Sequence, residues 1–444
     1  MVAGLEIAAF QAAYYRLEAC VTMPRTVENL EAPIEKAVLV LVNEDESEDL
    51  AVEEELEGLC EAAHVVPLVS IRQRLDRPYK TNYVGTGKVE EIAALVKDAE
   101  ANVLIVDAEL SGIQSRNLTD TCKVKVIDRT QLILDIFANR ARTREGMLQV
   151  ELAQLTYMLP KLMSVYTQFE RQRGGIGMRG PGETKLESDK RMVRDKISKL
   201  KDEIEDVKRV RDQQRAGRRK HPFPFASIVG YTSAGKSTLM NRLSGTDVLV
   251  DAMPFATLDP TTRKIDLPDG YSLFLTDTVG FIRNLPTQLV AAFHSTLEEV
   301  TFSDLLIHVV DVSNPAWEMQ RDSVIATLEQ LGAGDKPMLT VFNKIDAVAN
   351  HELERHLVAE WENSVAISAT KGTGIGDLMA ALRKMVQSLL GFVRALIPYS
   401  ESALVQDCYD YGRVLKTEYR EDGIYVEAEL VAEMRAKLER FQVP

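Results

Sequence analysis

Gly230-Tyr231-Thr232-Ser233-Ala234-Gly235-Lys236-Ser237, followed by Thr238, fits the pattern GxxxxGK[ST]. It stands between an apolar run at 226–229 and a helix-forming stretch at 238–243, the strand–loop–helix setting that a phosphate-binding loop needs. Glycines let the backbone wrap a phosphate with its N–H groups, and the helix N-terminus adds positive dipole. Lys236 is then expected to reach the β- and γ-phosphates and Ser237 Oγ to ligate Mg²⁺. An unrelated glycine turn is the plain alternative for this octapeptide, and the residues downstream argue against it.

Asp277-Thr278-Val279-Gly280 ends the apolar run 273–276, which suits Asp277 to hold a metal-bound water and the Gly280 N–H to meet the γ-phosphate. Between the two motifs lies Phe255-Ala256-Thr257-Leu258-Asp259, on a loop that continues with Pro260. The Thr257 hydroxyl is the candidate for a second metal contact made only when the γ-phosphate is present, which would make this segment a switch. Thr261 and Thr262 stand close enough to be alternatives. Asn343-Lys344-Ile345-Asp346 follows the run 338–342, and Ser368-Ala369-Thr370 follows a strand ending at 367. A carboxylate at Asp346 accepts from guanine N1–H and the 2-amino group, whereas adenine lacks that pair of donors and would leave a buried acid unpaired. The Ala369 N–H is suited to guanine O6, and the Lys344 stem to covering the base. Lys236, Thr257 and Gly280 are thus the catalytic candidates, with Ser237, Thr257 and, through water, Asp277 on the metal. The chemistry implied is Mg²⁺-dependent hydrolysis of GTP to GDP and phosphate. Many GTPases orient the attacking water with a glutamine immediately after DxxG. Here that position is Phe281, whose ring offers no such hydrogen bond, so intrinsic turnover should be slow unless a partner supplies the group. Packing over the nucleotide is the other role open to it.

Working outward, apolar runs at 37–42, 65–71, 102–106 and 124–127 alternate with helix-like stretches such as the acidic 46–63, predicting a small parallel α/β domain over 35–129 after a leader at 1–34. A helical linker is expected over 130–222. Met147, Val150, Leu152, Leu155 and Met158 recur at helical spacing, Pro160 should bend or break that helix, and a glycine-dense loop at 174–184 precedes a charged helix over about 185–214. Short buried strands return from 223, giving a doubly wound α/β GTPase domain to 391, and 392–444 reads as a small α+β domain.

The chain has 444 residues, 45% hydrophobic and 27% charged, with no apolar run long enough to span a bilayer, so neither membrane insertion nor a peptide-sized fold is expected. Glu6 interrupts a mildly apolar start with no basic segment before it, which disfavours a secretory signal and favours the cytoplasm. Cys20, Cys60, Cys122 and Cys408 lie far apart without a CxxC pair, arguing against a zinc site or a disulfide framework. The net charge of −14 disfavours DNA, yet residues 171–220 carry 17 Lys+Arg against 9 Asp+Glu. That basic island suits RNA, with Arg171, Arg173 and Arg179 the candidate phosphate contacts; a solvated, salt-bridged helical hairpin is the bland alternative. Gly85-Thr86-Gly87-Lys88 lacks the full phosphate-loop pattern and reads first as a strand-to-helix turn.

The order of these motifs is similar to that of translation-factor-class GTPases, and DTVGFIR with FATLDPTTR closely resembles the HflX family. YVGTGKVEE at 83–91, VIDRTQLILDIFANRARTREGMLQVELAQL at 126–155 and GGIGMRGPGETKLE at 174–187 resemble that family's N-terminal domain and helical linker. The resemblance implies a partner in the large ribosomal subunit and its RNA, contacted by the N-terminal domain and linker, and a role in splitting or rescuing stalled ribosomes. A GTP-gated switch acting on another protein is the alternative. Related GTPases commonly carry asparagine where this chain has Ser233, so the potassium dependence that the resemblance implies is in doubt at this position.

Overall fold

The computed structural model describes residues 34–43, 49–75, 77–172, 181–218, 223–245, 253–255, 257, 260–283, 294–348, 357–410 and 412–443. Within 35–444 the backbone builds three sheets joined by long helices.

The first sheet comprises β1 (Glu35–Asn43), β2 (Val65–Arg74), β3 (Val103–Val106) and β4 (Lys125–Asp128), with α1 (Asp49–Ala62), α2 (Thr86–Asp98) and α3 (Gly112–Cys122) as crossovers. Its order is β2-β1-β3-β4 and every pair is parallel. Helices cover both faces, so β3 is buried at every residue and reads as an unbroken apolar run. Ser111 starts α3 with a reciprocal capping box to Gln114, and Asp128 caps the next helix by accepting from Gln131 N–H at 2.9 Å.

That helix, α4 (Arg129–Arg140), is followed by α5 (Arg144–Gln172) and α6 (Pro181–Arg218). The chain turns at 141–143, where the Thr143 hydroxyl accepts from Gly146 N–H at 3.0 Å. Pro160, expected to bend or break the helix, lies inside α5 without ending it. Its missing N–H removes one bond to the preceding turn, and the turns on either side keep theirs. Lys196–Glu151 at 2.5 Å and Arg144–Glu203 at 3.5 Å tie α6 back along α5 as a hairpin. Lys208 and Arg211 pin its base to Glu298 and Glu299, each at 2.8 Å.

The second sheet contains β5 (Phe225–Gly230), β6 (Thr261–Asp266), β7 (Ser272–Asp277), β8 (Leu305–Asp311), β9 (Met338–Asn343) and β10 (Ser364–Ala366). Around it lie α7 (Lys236–Ser244), α8 (His294–Phe302), α9 (Trp317–Gln330) and α10 (Ile375–Leu389). The order β10-β9-β8-β5-β7-β6 is parallel except for β6, which runs antiparallel to β7 and has no counterpart among the runs read from the sequence. The chain leaves β5 toward β7 on one side and returns through β8 on the other. The C-terminal end of β5 is therefore a topological switch point, where open α/β sheets bind ligands.

The third sheet, β11 (Gly391–Ile397), β12 (Gly412–Arg420) and β13 (Gly423–Leu430), is antiparallel in the order β11-β13-β12, and α11 (Ala403–Asp410) and α12 (Ala432–Leu438) complete its core. The fold is thus a P-loop α/β unit preceded by a smaller parallel α/β unit with a helical linker and followed by a small α+β unit. Among the described residues no helix is long and apolar enough to cross a membrane.

One apolar cluster does not respect these sheets. Leu39, Leu56, Ile133 and Phe137 of the first unit and linker are buried together with Tyr231, Phe255 and Phe281 of the second. Phe137 meets Phe255 edge-to-face, with centroids 4.6 Å apart at 72°, a geometry contributing about 1 kcal/mol beyond area burial.

Candidate functional site

The phosphate-loop candidate leaves β5 at Gly230 and enters α7 at Lys236. Gly235 adopts φ +94°, and a Cβ there would lie 2.3 Å from Asn343 Nδ2, so conformation and space both demand glycine. Lys236 is buried, with Nζ donating to Gly230 O at 3.1 Å and Tyr231 O at 2.7 Å. Burial pulls its ammonium down to about 8, while the nearby Asp277 carboxylate opposes that shift. A bound polyphosphate would reverse the effect by supplying negative charge.

Ser237 Oγ donates to Asp277 Oδ2 at 2.7 Å, Thr257 Oγ1 reaches the same oxygen at 3.1 Å, and the two hydroxyls are 2.8 Å apart. Of the three candidate threonines, Thr262 instead bonds Thr276 across the β6–β7 pair at 2.9 Å, and Thr261 opens β6. Asp277 is buried, which raises its carboxyl above the usual range, and its Oδ1 has no hydrogen-bond partner among the described residues. Three converging hard oxygens and one orphaned buried oxygen suit a small hard cation such as Mg²⁺. Thr278 turns away, donating to Ile228 O at 2.6 Å and fastening the end of β7 to β5. Ala256, Leu258 and Asp259 lie outside the described residues.

Gly280 sits tightly on the loop: a Cβ there would be 2.9 Å from Lys236 Nζ and 3.0 Å from Thr232 Cα. Phe281 N–H donates to Gly230 O at 3.0 Å and Phe281 O accepts from Thr232 N–H at 2.8 Å. The Phe281 ring is buried in the shared apolar cluster, so core packing is the role the structure gives it.

On the base side, Asn343 works as a brace. Its Nδ2 donates to Ala234 O at 2.9 Å and its Oδ1 accepts from Ala369 N–H at 3.0 Å, joining the phosphate loop to the 368–370 loop. The Ala369 N–H assigned from sequence to guanine O6 is thus committed to Asn343 here. Lys344, at φ +64°, pairs with Asp311 at 2.6 Å, and Ile345 is buried. Asp346 is exposed, not buried as the base-exclusion argument took it to be, because it stands on a short turn beyond β9; only a bound base would cover it. Ser368 Oγ meets Thr370 Oγ1 at 3.1 Å, and Arg242 holds the carbonyls of Ala369, at 3.0 Å, and Thr370.

Arg242 was not singled out from the sequence; its position on α7, one turn and a half beyond Lys236, was the only signal. Also missed was a buried ionic group beside the loop. Tyr231 OH donates to Glu55 and accepts from Arg283 N–H at 2.9 Å. Arg129 bonds Glu55, Asp107 and, at 3.2 Å, the Arg283 carbonyl, while the Arg283 guanidinium reaches Asp107 at 3.3 Å. Of the RNA candidates, Arg173 and Arg179 lie outside the described residues, as does 174–180, and Arg171 is in the last turn of α5. Gly85 precedes α2 as its N-cap, the strand-to-helix turn of the plain reading.

Three family profiles match consecutive parts of the chain: "GTP-binding GTPase N-terminal" over 51–138, "GTP-binding GTPase Middle Region" over 140–218 and "50S ribosome-binding GTPase" over 225–344. The GTPase HflX of Lacrimispora saccharolytica is 46% identical over 91% of this chain and 95% of its own length. That of Escherichia coli strain K12 is 43% identical over 88% and 92%. Among solved structures, a GTP-binding protein from Sulfolobus solfataricus in complex with GDP is 27% identical, with a TM-score of 0.44 over 80% of this chain and all of that one.

Proposed function

The chain belongs to the HflX family of GTPases, and from that premise we propose that its GTP-bound form docks on the large ribosomal subunit in the cytoplasm, with hydrolysis to GDP and phosphate permitting release, in the splitting or rescue of stalled ribosomes. The observation that carries this reading is the continuity of the nucleotide site with the parallel unit and the linker through one apolar cluster, which gives a docked N-terminal half a direct path to the phosphate loop. The match to a profile described as a 50S ribosome-binding GTPase supports the choice of partner.

In this reading Lys236 and the loop N–H groups hold the β- and γ-phosphates, Gly280 contacts the γ-phosphate, and Asn343, Lys344, Asp346 and the 368–370 loop hold the guanine. Ser237, Thr257 and, through water, Asp277 hold Mg²⁺, which when bound offsets charge on the phosphate oxygens. Asn343 keeps the phosphate and base halves in register. Phe281 contributes packing and no hydrogen bond to the attacking water, so the orienting group comes from the docked partner, and turnover without it is slow.

A second reading, a GTP-gated switch on a protein partner, draws on the stalk itself, where Lys196, Lys208 and Arg211 are occupied by Glu151, Glu298, Glu145 and Glu299. GTP turnover with and without purified large ribosomal subunits decides between them, with ATP and Lys236→Ala as controls. Strong stimulation with salt-sensitive co-sedimentation supports the first reading. Absence of both in a GTP analogue removes it and leaves the second.

A further inference from the structure

The segment that must meet the γ-phosphate is held by residues of a different unit. Arg283 lies three residues beyond Gly280, and its backbone N–H, its carbonyl and one end of its guanidinium are engaged from outside its own segment. Its N–H donates to Tyr231 OH at 2.9 Å, its carbonyl accepts from Arg129 at 3.2 Å, and its guanidinium reaches Asp107 at 3.3 Å. Asp107 directly follows β3, and Arg129 opens α4 directly after β4. Glu55 of α1 then ties Arg129 to the Tyr231 hydroxyl, closing the group on itself. Asp107 and Arg129 are almost wholly buried, so water does not loosen these bonds.

So held, residues 280–281 are knitted onto the phosphate loop by two backbone bonds, and one of them consumes the Thr232 N–H. The space between Gly280 and the phosphate loop is close-packed, since a Cβ on Gly280 would lie 3.0 Å from Thr232 Cα and 2.9 Å from Lys236 Nζ, the movable end of that side chain. A γ-phosphate that touches both residues needs that space. GDP has no such group and makes no such demand. Admitting GTP therefore draws Gly280 back, and the anchors on Arg283 resist that movement.

We propose that Asp107, Arg129 and Glu55 of the four-stranded unit, acting through Arg283 and Tyr231, are specificity-determining residues that set the preference of the nucleotide site between GDP and GTP. They touch neither nucleotide. They act by fixing the far end of the Gly280 segment, so their effect falls on the γ-phosphate and spares the β-phosphate and base contacts. The inference rests on the GTPase activity alone and not on the ribosome reading; no ribosomal subunit enters its test, so the two fail separately.

The test is equilibrium binding of fluorescent GDP and of a fluorescent, non-hydrolysable GTP analogue, with Mg²⁺, to the full chain and to Asp107→Asn, Arg283→Gln and the double variant. Far-ultraviolet circular dichroism and the unfolding midpoint in GDP check the fold of each. Each single variant should tighten the GTP analogue at least about fivefold relative to GDP, the scale of an ordinary coupling between sites. GDP affinity should stay within about twofold, and the double variant should match the stronger single within about twofold, because both changes cut one tie. Parallel changes for the two nucleotides, a weakened GTP analogue, or additive effects overturn the proposal. Should Asp107→Asn fail to fold, Glu55→Gln removes the carboxylate that ties Arg129 to the Tyr231 hydroxyl and lies outside the nucleotide site, and the same shift toward the GTP analogue is required of it.

Discussion

Replacing Lys236 by methionine should make the nucleotide-free protein more stable while abolishing nucleotide binding. Burial lowers the ammonium from 10.5 to about 8. A lysine shifted this way carries fewer protons folded than unfolded, so stability rises with pH between about 8 and 10.5, and below that window the whole cost of the buried charge is present. At about 1.4 kcal/mol per pH unit, the cost at neutral pH is about 3 kcal/mol. Methionine keeps a similar length without the charge. It loses the bonds to Gly230 O and Tyr231 O, which takes back on the order of 1 kcal/mol and leaves a gain of about 2 kcal/mol at pH 7. Above pH 10.5 only the loss of those two bonds remains, so the gain should vanish and reverse by about 1 kcal/mol. Both tryptophans, Trp317 and Trp361, lie in the six-stranded unit, so urea unfolding followed by tryptophan fluorescence reports on that unit. Saturating GDP should invert the ranking, since ligand binding stabilises only the protein that retains the site. A nucleotide-free variant less stable than the parent at pH 7, or a difference that ignores pH between 7 and 10.5, would refute the reasoning.

Asp346→Asn should weaken GDP binding and favour xanthine nucleotides, because the amide presents a donor where guanine also has donors; competition binding that still ranks guanine first shows the base pocket to be misassigned. Gly235→Ala should lower GDP affinity at least about tenfold, since its Cβ would displace the Asn343 amide that braces the loop, and an unchanged dissociation constant would contradict that role. Phe281→Gln should cost about 2–4 kcal/mol of stability without raising intrinsic turnover, because its side chain would enter the apolar cluster and not the nucleotide site. Faster phosphate release at unchanged stability would place that side chain elsewhere.

The nucleotide chemistry was legible in the sequence because it depends on short, contiguous, ordered patterns. A phosphate loop must follow a strand and open a helix, a metal-binding aspartate must end a neighbouring strand, and the base-reading tetrad must end another. These are relations along the chain, and the alternation of apolar runs supplied the strands. The antiparallel β6 escaped because Thr261–Asp266 has only Ile265 buried and offers no apolar run to read. Pro160 does not break its helix because proline removes a single donor, and a helix of 29 residues packed along its neighbour tolerates that loss. Three matters were decided only by tertiary structure. Which threonine joins Ser237 and Asp277 depends on the path of a loop. Whether Phe281 covers the nucleotide or fills a core depends on the linker helix that brings Phe137 beside Phe255. The ionic group on Arg283 draws Glu55, Asp107 and Arg129 from positions 154 to 228 residues earlier in the chain. No local pattern marks such residues, because each is ordinary in its own segment and acquires its meaning only where two separately patterned units share one interior.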